Sequence, residues 1–152
     1  MYTKEEKKNI KVEFWTNFGF YMKKHIRKYG NVHWTNYKTK IKDLYFRLEF
    51  NEKEAIFSIE LQHPDSIREL FYEQFCELKT ILEDTLNTKL IWEELYINEF
   101  DKAISRIYIV LPDVNLFNKN DWQKVFVFFD SKMVKLHSFW IEYKEIFKNL
   151  ES

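Results

Sequence analysis

Two arginines and four large aromatic residues occupy strand-like segments at alternating positions: Tyr45 and Arg47, Trp92 and Tyr96, Arg106 and Tyr108. Side chains two apart on a strand share a face, so pairing of these segments would gather all of them on one side of a sheet. Planar rings stack on planar ligands and a guanidinium clamps an anion. The set is therefore a candidate binding platform for nucleic acid or for a partner protein. Glu49, Glu60 and Glu94 fall on the same parity. The competing reading is a ladder of cross-strand ion pairs partly covered by a helix, each pair contributing about 0.2–1 kcal/mol.

A second constellation is acidic. Asp43 precedes one strand-like segment and Glu60-Leu61-Gln62 closes the next. Carboxylates on adjacent strands can share a hard divalent cation, and positions two apart point the same way. Other chemistries are poorly served. Phosphate-cradling loops need several glycines where backbone amides approach the phosphate, whereas only Gly19 and Gly30 occur, both in or ending a helical pattern. The same shortage excludes a nucleophile elbow. His25, His33, His63 and His137 lack zinc-ligand spacing, and Cys76 lies off the apolar stripe with no histidine near it in sequence. No cofactor and no resident metal are expected. A third stretch, Lys23 to Lys42, interleaves lysines and Arg27 with Tyr29, Trp34 and Tyr37. Such a mixture suits a nucleic-acid backbone, although cations also gather at helix C-termini for purely local reasons.

The elements that would position these residues follow from periodicity. Thr3-x-x-Glu6 is a capping box, and Ile10, Phe14, Phe18, Met22 and Ile26 recur every four residues up to Gly30, which predicts one long helix. A short extended piece is expected around His33-Trp34-Thr35. Leu44, Phe46, Leu48 and Phe50, then Phe57, Ile59 and Leu61, alternate with polar residues around the turn Asn51–Glu54, the pattern of a half-buried hairpin. Pro64-Asp65-Ser66 opens a second helix with Ser66-x-x-Glu69 as its box and Ile67, Phe71, Phe75, Leu78 and Leu82 as its buried stripe. Strands are expected near Ile91–Asn98 and Ile104–Leu111. A last helix follows from about Asp121 to Leu150, with Trp122, Phe126, Phe129, Met133, Leu136, Trp140, Tyr143, Phe147 and Leu150 spaced four and three apart. That seam could pair two copies into a homodimer, but its bulky rings suit a wide groove within one chain better. The expectation is a single α+β domain over residues 1–152: a mostly antiparallel sheet of four to five strands flanked by three helices, in the order α-β-β-β-α-β-β-α.

The chain of 152 residues has no net charge, yet residues 1–53 hold 13 basic against 6 acidic side chains and residues 54–101 hold 3 against 12. A chain so polarised can steer a charged partner. No apolar run reaches the roughly 20 residues of a membrane helix, and the N-terminus has no apolar leader core. With one cysteine, which permits no internal disulfide, this predicts a cytoplasmic protein without membrane contact. Aromatic residues reach 19%, but Phe, Tyr, Ile, Lys and Asn are all products of A/T-rich codons, so the total says little about a stacking site.

Two resemblances bear on function. The order helix, short strand, strand, strand, helix, strand resembles the core of the restriction-endonuclease-like nucleases. In that family an acid on the second strand and an E-x-K on the third hold a divalent metal; the resemblance puts these roles on Asp43 and on Glu60-Leu61-Gln62, with Gln62 where Lys is usual. Read end to end, the chain also resembles a bacterial family, domain of unknown function 4268. The stretches that carry this are Glu13–Gly19, Asn36-Tyr37-Lys38-Thr39, Tyr45-Phe46-Arg47, Ile59-Glu60 with His63-Pro64-Asp65, Leu70–Phe75, Ser105–Tyr108, Phe117–Trp122 and Phe139-Trp140. That resemblance implies a domain found alone or beside nuclease-type domains, hence a DNA-linked accessory role, and assigns no catalytic residue. The leading expectation is a non-enzymatic binding module, with a divergent metal-dependent nuclease as the alternative.

Overall fold

Thr3 does cap the first helix: its hydroxyl accepts from the Glu6 amide at 3.1 Å and the Glu6 carboxylate accepts from the Thr3 amide at 2.9 Å. In a computed structural model, which describes residues 1–151, this helix is α1, Lys4–Met22. It does not run unbroken to Gly30. A 3-10 turn, Lys23–His25, tightens the chain before the short α2, Ile26–Tyr29. At that point His25 Nε2 meets the Asp130 carboxylate at 2.7 Å, a tertiary contact stronger than the local helical preference. Gly30, at φ 76°, then ends the segment, a backbone region that glycine enters without a steric penalty.

The sheet consists of β1 (Leu44–Phe50), β2 (Glu54–Leu61), β3 (Ile91–Ile97) and β4 (Ala103–Pro112). Its order is β1-β2-β4-β3 and every pair is antiparallel. The expected strand at residues 33–35 does not form. Trp34 is instead buried at 8% exposure, wedged edge-on against His25, Tyr29 and His137. Ring packing outweighed extended propensity there.

Between the hairpins lie α3 (Asp65–Glu77) and α4 (Lys79–Leu86), separated at Leu78, whose amide is shared between the Gln74 and Phe75 carbonyls. The Ser66 box is not used, for the helix already starts at Asp65 without a side-chain cap. Ile67 is also not in the stripe: it is 45% exposed, and Arg68 takes the inward position at 7%. Arg68 earns that place by hydrogen bonding, since its guanidinium donates to the carbonyls of His63 and Ala103. α5 (Trp122–Lys148) completes the chain. No helix among the described residues is long and apolar enough to cross a membrane.

The expected hairpin parity holds. Leu44, Phe46, Phe57, Ile59 and Leu61 are all buried, and Leu48 packs beside them. The seam of α5 lies on this face, with Phe129, Met133 and Leu136 fully enclosed, while α1 packs alongside through Phe14 and Phe18. Phe14 touches the rings of Trp15, Phe50, Trp122, Phe126 and Phe129 within 4.8–6.4 Å. We expect Phe14→Ala to cost about 3–5 kcal/mol, read from the urea midpoint, since a cavity there empties the junction of α1, α5 and β1. A loss below about 1 kcal/mol would show that the junction can collapse around the gap.

Candidate functional site

All helices lie on one side of the sheet, so the alternate side chains project from an uncovered face. The strand register writes them out in rows. One row runs Tyr45, Glu60, Arg106, Glu93; the next runs Arg47, Ser58, Tyr108, Ile91; a third runs Glu49, Ile56, Val110. Ser58 is 1% exposed and Glu60 6%, so small or paired groups form the floor and the larger side chains stand around them.

Arg106 is held on three sides. Its guanidinium sits 3.6 Å from the Tyr96 ring centroid and 4.0 Å from that of Tyr108, and it contacts the Glu93 carboxylate at 3.2 Å. Arg47 donates diagonally to Glu60 at 2.8 Å. Tyr45, Arg47, Tyr96, Arg106 and Tyr108 thus share one face, as their parity predicts. Both guanidiniums are occupied by neighbouring carboxylates, so the ion-pair ladder exists, but without a helix over it.

Trp92 is the exception. It lies on the helix side, where its indole donates to Glu83 at 3.1 Å and its ring stands against Tyr72. The cause is a register shift between Glu93 and Tyr96: a bulge adds one residue and flips the parity of everything before it. For the same reason Glu93, not Glu94, pairs with Arg106. The adjacent acids Glu93-Glu94 were a signal in the sequence, because strict alternation cannot place both on one face. Glu83 also accepts the Leu90 amide at 2.8 Å. Burial would raise its carboxyl, but these two donors with Lys79 and Lys89 hold it below the ordinary value.

Sequence reasoning missed the turn between β3 and β4. Asn98 fastens it, its side-chain oxygen accepting the amides of Phe100 and Lys102. The turn overhangs the uncovered face, and Glu99, Phe100 and Lys102 join Arg47, Glu49 and Glu60 around a cavity of about 440 Å³. Among the described residues Glu49 and Glu99 form no ion pair. Burial pushes the Glu49 carboxyl up, with Glu60 and Glu99 adding to the rise while Arg47 and Arg106 oppose it. Phe100 is 79% exposed.

The acidic set is divided. Asp43, at φ 65° just before β1, accepts the Gln62 amide through its carbonyl at 2.8 Å. It lines a second pocket with Gln62, His63 and Arg68, whereas Glu60 opens on the first with Arg47. Gln62 borders both. No group of three or more His, Cys, Asp or Glu side chains converges in metal-holding geometry among the described residues.

The fold and the face define an α+β protein with helices on one side of an antiparallel sheet and an exposed charged and aromatic surface on the other. Over residues 10–144 it matches the family described as Domain of unknown function (DUF4268), and the chain belongs to that family. No curated protein and no solved structure matches it.

Two expected outcomes follow from these geometries. Arg106→Ala removes two ring contacts and one ion pair, and leaves Glu93, a third exposed, free to hydrate. Stability should fall by about 1–3 kcal/mol in urea titration, less than the loss of a sealed pair would cause. His63 is 5% exposed, stacks on Phe71 at 4.3 Å, and finds no well-formed hydrogen bond at either ring nitrogen. Burial holds it below its ordinary value of 6.5, against weaker upward pulls from Asp43 and the Lys42 backbone. The unfolded chain therefore takes up a proton that the folded chain refuses, and stability is lost as the pH falls through about 6.5. His63→Phe keeps the stack and should flatten that acid limb in Tm measurements, leaving the part due to His137, which burial also holds low. An unchanged limb would mean that His63 takes up its proton as readily in the folded chain as in the unfolded one.

Proposed function

We propose that this chain is a non-enzymatic interaction module that docks a basic segment of a partner protein on its uncovered sheet face. The observation that carries this reading is the imbalance left after internal pairing. Arg47 and Arg106 are taken by Glu60 and Glu93, while among the described residues Glu49 and Glu99 form no direct ion pair, beside an exposed Phe100, although Lys102 borders the same cavity. A lysine or arginine entering the cavity would relieve the crowding of carboxylates around Glu49, and Phe100 offers an apolar anchor of the kind that dominates interface energetics. The edge strand β3, bonded only to β4, extends the surface, with Leu95 at 64% and Ile97 at 51% exposure. Nucleic-acid phosphates would meet glutamates here, and the same face of a second copy would present like charge to like. The lone Cys76 suits a reducing, cytoplasmic setting.

The test is a titration of isotope-labelled protein with a short Lys/Arg-rich peptide, followed by amide chemical shifts. Shifts should concentrate at Glu49, Glu99 and Phe100 and weaken as the pH falls, starting at a higher pH than for an ordinary glutamate because burial raises the Glu49 carboxyl. The pair Glu49→Lys and Glu99→Lys should reduce affinity about tenfold or more, roughly 1.4 kcal/mol. Shifts that spare this face, or equal affinity in the charge-reversed protein, would refute the reading.

A further inference from the structure

The helical side of the molecule carries a pocket of opposite character. It has a volume of about 440 Å³ and opens between the loop after α2 and the middle of α5, bounded by Asn31, His33, Tyr37, Lys38, Lys40 and His137. No carboxylate lines it. Asp130, two turns before His137 on α5, is already engaged by His25 at 2.7 Å and Lys24 at 3.1 Å.

This pocket has a fixed frame. Thr39, between the two lysines, is 4% exposed; its hydroxyl donates to the Leu44 carbonyl at 2.9 Å and accepts the Ile41 amide at 3.2 Å. The Thr39 carbonyl accepts the Trp140 indole at 3.1 Å. With Thr39 anchored inward, Lys38 and Lys40 are turned out together. Lys40 sits at φ 68°, a region that non-glycine residues seldom occupy and that persists where surrounding contacts over-determine it.

His137 supplies direction. Its Nδ1 lies 2.5 Å from the Tyr37 hydroxyl, and the Tyr29 and Trp34 rings stand edge-on to it at 5.3 and 5.4 Å. Burial pushes Tyr37 up to about 12, so its hydroxyl keeps the proton and can donate it to Nδ1. Burial and Lys144 hold His137 below its ordinary value. The neutral ring then carries its own hydrogen on Nε2, a donor fixed by the tyrosine behind it.

We propose that this pocket binds a phosphate group of a nucleic-acid backbone, with Lys38 and Lys40 supplying charge and His137 a directed hydrogen bond. A polymer is favoured over a small phosphate ester because exposed cations continue past the pocket. Lys23, Arg27 and Lys28 lie on the turn and helix before it, and Lys42 lies beyond it. The site is independent of the uncovered sheet face, so the chain could hold a polyanion on its helical side while a protein occupies the other.

The test is fluorescence anisotropy of labelled single-stranded and duplex oligonucleotides of mixed sequence, titrated with the full chain at several salt concentrations. Log affinity should fall linearly with log salt. Lys38→Ala combined with Lys40→Asn, an exchange that tolerates the positive φ, should weaken binding at least tenfold at low salt. The slope should drop by about one per lysine removed. Lys38→Ala alone guards against a folding defect and should give about half that change in slope. Tyr37→Phe frees the His137 tautomer, visible in imidazole nitrogen shifts, and should weaken binding without altering the slope. Glu49→Lys on the sheet face should not weaken it. Affinity unchanged in the double variant would overturn the proposal. So would binding of inorganic phosphate without any binding of oligonucleotide.

Discussion

The seam of large side chains along α5, from Trp122 to Phe147, must lie against apolar surface over its whole length of about 40 Å. Within this chain one sheet face and one flank of α1 are wide enough to accept it. The hairpin β1–β2 presents Phe46, Phe57 and Ile59 to the seam, and α1 closes the side with Phe14 and Phe18. The seam is largely buried within its own chain, at Trp122, Phe129, Met133, Leu136, Trp140 and Phe147. It also draws every helix to one side of the sheet, so the bare opposite face is a consequence of how the core is satisfied.

Most of this was legible because burial imposes simple periods. The four-three spacing of α5 and the alternation of Leu44–Phe50 with Phe57–Leu61 could be read directly, and with them five of the six residues assigned to the polar face. What escaped has a common physical origin: places where a specific tertiary contact beat the local period. The bulge in β3 turned Trp92 towards Glu83. The hydrogen bonds of Arg68 to two backbone carbonyls put an arginine where Ile67 was expected. The pairing of His25 with Asp130 and the ring cluster around Trp34 replaced a continuous helix and a short strand. The turn carrying Glu99 and Phe100 had no periodic signature at all.

The uneven charge along the sequence becomes a division in space. The acidic middle of the chain supplies β2, α3, α4, β3 and the turn after β3, whereas the basic first third supplies α1, α2 and the loop that leads into β1. Although the net charge is zero, segments so unlike in charge can steer a charged partner. That sorting also explains why the two arginines on the sheet are saturated: they are a minority of cations among glutamates, and each was captured where the register brought a carboxylate near.

The edge strand has a further consequence for motion. β3 is bonded on one side only, to β4, its ladder is interrupted by the bulge, and none of its residues is fully buried. Its inner anchors are the Glu83 hydrogen bonds to Leu90 and Trp92 and the clamp of Arg106 on Tyr96. Elements with few buried contacts open well before the whole molecule unfolds, so amide exchange in β3 should run through local fraying while β2, walled by strands on both sides, exchanges only through global unfolding. The edge that exposes Ile91, Leu95, Ile97 and Phe100 is therefore also one whose backbone is free to adapt its shape.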